Sequence, residues 1–176
     1  MGWPLSRVAS MRVGNFVGAG EEKKAKDTSQ LLISLTVAGE VLIVILIIMF
    51  SSNIARLFTQ DEGTVQLVVH LAPLLAIHQI ADGTQIICSG VFKAIGRQRV
   101  LAIFNIVAYW VVSLPIGVFL AFYLNYQLVG IWIGFIVAIG GEAIILLGMV
   151  HKIDWKDEIN KARKMNNGGL LETDED

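Results

Sequence analysis

Cysteine is almost missing from this sequence. Cys88 is the only one in 176 residues, so no intrachain disulfide can form. Charge is scarce too, at 16% of residues against about 25% in an ordinary soluble domain. The formal net charge of -1 offers no basic surface for a nucleic acid. No Cys-x-x-Cys, no metal-ligand spacing and no nucleophile–base pair is present, which points away from an enzyme, a metal site or a bound cofactor. Gly14, Gly18 and Gly20 invite comparison with a phosphate loop, but the Lys-Ser/Thr such a loop needs does not follow them. A basic segment followed by an apolar core, the mark of a cleavable leader, is also lacking.

Apolar residues fill the space these groups leave. They make up 55% of the chain, the mean hydropathy is +0.64, and they stand in long blocks with the charges between them. A helix needs about 20 apolar residues to cross the hydrocarbon core. Residues 31–51, 65–92, 100–124 and 128–150 meet that length. In lipid the backbone must satisfy its own hydrogen bonds, so these blocks predict an all-α, multi-pass bundle of four full spans plus an N-terminal partial helix. Residues 1–28 read as the end of a truncated helix and a charged loop or helix start. Residues 29–150 read as the membrane region, and 151–176 as a tail. Within that tail Trp155 to Lys164 fits a short surface helix, and Asn166 to Asp176 is expected to be disordered.

Lys and Arg alternate in position along the chain. Arg7, Arg12, Lys23, Lys24 and Lys26 precede the first span, and Lys93, Arg97 and Arg99 join the second to the third. Lys152, Lys156, Lys161, Arg163 and Lys164 lie in the tail, whereas the other two loops hold only Arg56. Basic loops favour the cytoplasmic side, so these segments and the C-terminus are expected there.

Chemistry in such a chain should sit where polar groups enter the spans. Asp82 lies deep in the second block, where a lone carboxylate costs about 2.5–3.5 kcal/mol on insertion scales. His78, Asp82, Gln85 and Ser89 fall at i, i+4, i+7 and i+11, one stripe that should face the bundle interior or a cavity. A desolvated carboxylate there can exchange protons near neutral pH or bind a cation with neighbouring oxygens; the plainer alternative is an interhelical hydrogen bond. Asn105 and Tyr109, four apart, give the third span a polar patch, and Pro115 should kink it. Glu40 and Glu142, single acids in the first and fourth spans, are secondary candidates. Gly130 and Gly134, and likewise Gly140 and Gly141, suit close helix packing.

Several segments together resemble one family. Arg12-Val13-Gly14-Asn15 followed by Gly18-Ala19-Gly20 is similar to a signature of the multidrug and toxic compound extrusion (MATE) transporters. So are Asp82-x-x-Gln85-x-x-x-Ser89-Gly90, Gly96-x-Gln98, Asn105-x-x-Ala108-Tyr109, Leu114-Pro115-Ile116-Gly117, Gly130-Ile131-Trp132-Ile133-Gly134 and Asp154-Trp155-Lys156. The resemblance runs from about Ser6 to Arg163 and is nearest the eukaryotic branch. It implies twelve core helices in two six-helix lobes, of which this chain would supply the end of the eighth and the ninth to twelfth. It further implies that Asp82 couples to H+ or Na+ and touches an organic-cation or xenobiotic substrate, alongside an acid of the seventh helix. A plasma or vacuolar membrane would be the location and a missing N-terminal lobe a partner. The alternative is a truncated membrane fragment without transport of its own. Two positions depart from the pattern: Lys93-Ala94 stands where Arg-Gly is usual, and Glu142 where Gln is common.

Overall fold

The computed structural model describes the backbone of residues 2–172 and the side chains of residues 2–164. The apolar blocks are helical throughout, and among the described residues the protein is all-α. The helices are α1 (Gly2–Ala19), α2 (Glu22–Phe58), α3 (Glu62–Ala94), α4 (Gln98–Tyr123), α5 (Gln127–His151) and α6 (Trp155–Glu172). Four of them, α2 to α5, are long and apolar enough to cross a membrane. With 37 residues, α2 extends about 55 Å at 1.5 Å per residue, well beyond the roughly 30 Å hydrocarbon core. Its first turns, with Glu22, Lys23 and Lys24, therefore project past the apolar run that begins at Leu31.

Two glycines make the turns at one end of the bundle. Gly20 (φ +77°) closes α1, with the Glu21 N–H donating to the Phe16 carbonyl, and Gly96 (φ +73°) closes α3, with the Arg97 N–H donating to Phe92. Both are left-handed helix stops that a side chain would strain. At the opposite end Asp61 caps α3. Its carboxylate accepts from the Thr64 hydroxyl at 2.6 Å and the Thr64 backbone N–H at 2.8 Å, and these bonds hold the carboxyl below its ordinary range.

At the centre stands α3, packed against α1, α2 and α5, while α4 packs chiefly on α5. Almost every residue from Gly83 to Phe92 is buried, because three helices cover that stretch. Glycine sets the separations. A Cβ on Gly90 would lie 2.4 Å from the Ser6 carbonyl oxygen, and one on Gly134 would lie 2.7 Å from both Gly117 N and Ser113 O. Gly130 is similarly pressed against Ala121. The outward faces of α2 and α4 carry Leu42, Met49, Trp110, Val111 and Phe122 exposed, as lipid-facing helices require.

Two expectations are corrected here. Gly140 and Gly141 have no atom within 4 Å of an added Cβ, so they do not serve close packing: Gly141 shares a face with Gly134, seven residues back, but both lie beyond the stretch where α4 presses on Gly130 and Gly134. The tail is helical to Glu172, where disorder was expected from Asn166. Once Trp155 to Lys164 is nucleated on the bundle, adding turns fixes few further dihedrals for each bond gained. The expectation for 173–176 lies outside the described residues.

A candidate ion and substrate site on α3

The periodicity of α3 turns its polar residues toward α4 and α5. Asp82, Gln85 and Ser89 line a cavity of about 180 Å³ with Asn105 and Tyr109 of α4, Trp3 and Ser6 of α1, and Lys93. Asp82 is half-buried and makes no side-chain hydrogen bond to a described residue. Gln85 is 7% exposed, and its Nε2 donates to Asn105 Oδ1 at 3.2 Å and reaches Glu142 Oε1 at 3.4 Å. Asn105 Nδ2 in turn donates to the Leu101 carbonyl at 2.9 Å, which fixes which end of that amide faces Gln85. Three helices are thereby tied through two amides and one carboxylate.

The remaining candidates lie around this centre. His78, one turn above Asp82, is not among the residues that line the cavity; it meets Trp132 edge-on at 5.4 Å between centroids and Phe135 at 6.1 Å. Tyr109 approaches the same Phe135 at 6.3 Å. Glu142 is 4% exposed and reaches the cavity only through Gln85. Glu40 belongs to a different contact. It is 1% exposed on α2, accepts from Gln79 Nε2 at 3.0 Å, and fills the space that Gly83 leaves by lacking a side chain. Pro115 is exposed and outside the cavity. It occupies a five-residue α segment, Leu114–Val118, between π-helical segments Val107–Ser113 and Phe119–Tyr123. The Leu114 N–H reaches back five residues to Tyr109, so the helix is widened next to the phenol that lines the cavity.

Lys93, Trp3 and Ser6 were not among the sequence candidates. Lys93 continues the stripe, since 82, 85, 89 and 93 follow helical spacing, but its position beside a loop made it look like surface charge. Trp3 and Ser6 carry no such signal, because α1 comes from a distant part of the chain. No group of three or more His, Cys, Asp or Glu able to hold a metal occurs among the described residues.

At one end of the bundle a third buried acid is paired quite differently. Glu158 of α6 forms a short ion pair with Arg97 and a longer one, 3.3 Å, with Lys161. Trp155 and Ile159, each 5% exposed, seat α6 in the main apolar cluster with Val13, Val17 and Phe92.

Comparison with known proteins gives a consistent result. Residues 5–119 match the model of the MatE family. The chain is 32% identical over 168 residues to Multidrug and toxin extrusion protein 1 of Homo sapiens, a match covering 93% of this chain and 30% of that protein. It is 35% identical over 160 residues to Protein DETOXIFICATION 38 of Arabidopsis thaliana, covering 91% and 32% respectively. The crystal structure of the eukaryotic MATE transporter AtDTX14 is similar with a TM-score of 0.85 and 30% identity, over 92% of this chain and 36% of that one. The chain thus spans less than a third of the length of these curated relatives.

Proposed function

The chain belongs to the MatE family of membrane transporters, and from that membership we propose that it forms one wall of a secondary antiporter. The transporter exports organic cations or other xenobiotics in exchange for H+ or Na+. The observation that carries this reading is the cavity that half-buried Asp82 shares with the amides of Gln85 and Asn105 and the phenol of Tyr109. A carboxylate so placed attracts one positive charge strongly and a second far less, because the medium around it screens poorly. Coupling ion and cationic substrate therefore exclude one another, which is the physical basis of exchange. The aromatic group of His78, Trp132 and Phe135, which meets the cavity's Tyr109 through Phe135, suits the apolar body of such a substrate. A cavity of about 180 Å³ is small for a drug-sized molecule, so an opposite wall from a second lobe completes the cleft in this reading. Rocking of the lobes about a midplane site gives alternating access.

The distribution of Lys and Arg supports an orientation with the Gly20 and Gly96 turns and α6 in the cytoplasm, in a plasma or vacuolar membrane. The test of the role of Asp82 is Asp82→Asn in the full-length protein carrying this segment, reconstituted in proteoliposomes. Coupled efflux should fall more than about tenfold, equivalent to ~1.4 kcal/mol, with membrane insertion unchanged. Efflux that keeps its rate and its pH dependence would remove Asp82 from the mechanism.

A further inference from the structure

Glu142 is a buried acid to which the reading above gives no task. Its side chain sits on α5 at 4% exposure, among α3 and α4. Oε1 faces the Gln85 amide at 3.4 Å, and that same nitrogen is shared with Asn105 Oδ1. Oε2 is buried and has no hydrogen-bond partner among the described residues. No Lys, Arg or His pairs with Glu142 among those residues. Of the charged and titratable groups on the helices around it, Asp82, His78, Cys88 and Lys93 of α3 and Tyr109 of α4 lie on the stretches nearest the cavity, and Glu62, His70, Arg99 and Tyr123 lie toward the helix ends; Glu40 of α2 faces α3 from its other side.

We propose that Glu142 is a proton-binding site in its own right, joined to the Asp82 cavity by Gln85 and loaded and emptied separately from Asp82. A buried carboxylate with one long, shared amide contact is far from compensated, and the penalty for an unpaired charge in such a place is several kcal/mol. Protonation removes that charge and leaves Oε1, the carbonyl oxygen of the acid, to accept from Gln85. A hard metal ion is a poorer occupant. It takes about six or more oxygens, whereas Gln85 presents its N–H and Asn105 Oδ1 already accepts. Gln85 stands between the acid and the cavity, lining the cavity on one side and touching Glu142 on the other, so a turn of its side chain opens Glu142 to cavity water. On release the O–H bond of the acid breaks, the proton passes to water in the cavity, and the carboxylate keeps the electron pair; uptake is the reverse. The site does not depend on Asp82 having the transport role given to it above.

Proton binding can be counted without transport. In the full-length protein held in lipid nanodiscs, infrared difference spectra across a pH rise report protonated carboxyl groups by their carbonyl stretch. Glu142→Gln keeps the shape and the hydrogen bonding, so a merely structural role would leave the count untouched. The expected result is one protonated-carboxyl component fewer and one proton fewer released per molecule, with Glu142→Asp restoring both. In an Asp82→Asn, Glu40→Gln background the Glu142 component should persist, which separates this site from the transport reading and needs no change at Glu142 itself. Equal proton release from wild type and Glu142→Gln, or no remaining component in that background, overturns the proposal.

Discussion

Glu142 and Glu158 are the same residue at nearly the same burial, 4% and 6% exposed, and they lead opposite lives. Glu158, at the end of the bundle, meets the guanidinium of Arg97 and the ammonium of Lys161. Glu142, inside it, meets only an amide. With cations at hand Glu158 holds α6 to the α3–α4 turn, so it is a clasp. The second has nothing nearby to balance a charge, so any charge it carries is transient. Degree of burial alone does not decide what a carboxylate does. What surrounds it does, and here the surroundings follow from position along the membrane normal, because Arg and Lys lie outside the apolar runs, in the segments that flank them and in the tail.

The two regions should be separable by mutation. The largest effect is expected from Gly134→Leu, which drives a side chain into the backbone of Gly117 and Ser113 at a distance where neither can yield. Overpacking of this kind costs about 3 kcal/mol or more. Hydrogen–deuterium exchange should rise across residues 98–151 as α4 leaves α5, while residues 155–164 keep their protection. Equal loosening in both regions would show that the cluster and the clasp are one cooperative unit. A smaller effect is expected from Glu158→Lys, which places a third cation between Arg97 and Lys161. Arg97 is 41% exposed, so solvent relieves part of the conflict and a loss of about 2 kcal/mol in α6 docking is the right scale. Protection should then fall in 155–164 alone. Adding Arg97→Glu should recover it in part, and failure to do so would assign α6 docking to Trp155 and Ile159 instead.

The same contrast marks what the sequence could and could not reveal. Spans are legible because twenty apolar residues in a row have few other destinies, and the Asp82–Gln85–Ser89 stripe is legible because helical spacing is a local property. Asn105 with Tyr109 is legible for the same reason. The link from Gln85 to Glu142 joins residues 57 positions apart, and no local pattern carries it. Glu40 illustrates a finer loss. It looks equivalent to Glu142 as a single acid in a span, yet its place is defined by Gln79 and by the missing side chain of Gly83. The glycines of α5 likewise look alike in sequence, but which of them touch α4 depends on where along its length α5 meets α4, and only packing fixes that. Pro115 announces a disturbed helix without saying that it takes the form of wide turns on both sides.

The smallest effect expected is a pH dependence confined to the clasp. Asp157 and Lys161 form an i, i+4 pair at 2.6 Å on the exposed side of α6. The hydrogen bond from Lys161 holds the Asp157 carboxyl below its ordinary range, and bonds to Asp157 and then Glu158 raise the Lys161 ammonium. The signs differ. Stabilisation from the lowered Asp157 is complete above the carboxyl's unfolded value and is lost as pH falls through the folded one. Stabilisation from the raised Lys161 is complete below the ammonium's unfolded value and is lost as pH rises through the folded one. Docking of α6 should therefore show a plateau between an acid edge and an alkaline edge, and added salt should flatten both, since the pair is open to solvent. Exchange protection of residues 155–164 measured across pH reads the two edges directly. Lys161→Met should remove most of the acid edge and abolish the alkaline edge at once, because one ammonium accounts for both. If the edges stay where they were, the pair contributes nothing to docking, and the buried Glu158 with its Arg97 partner carries the clasp alone.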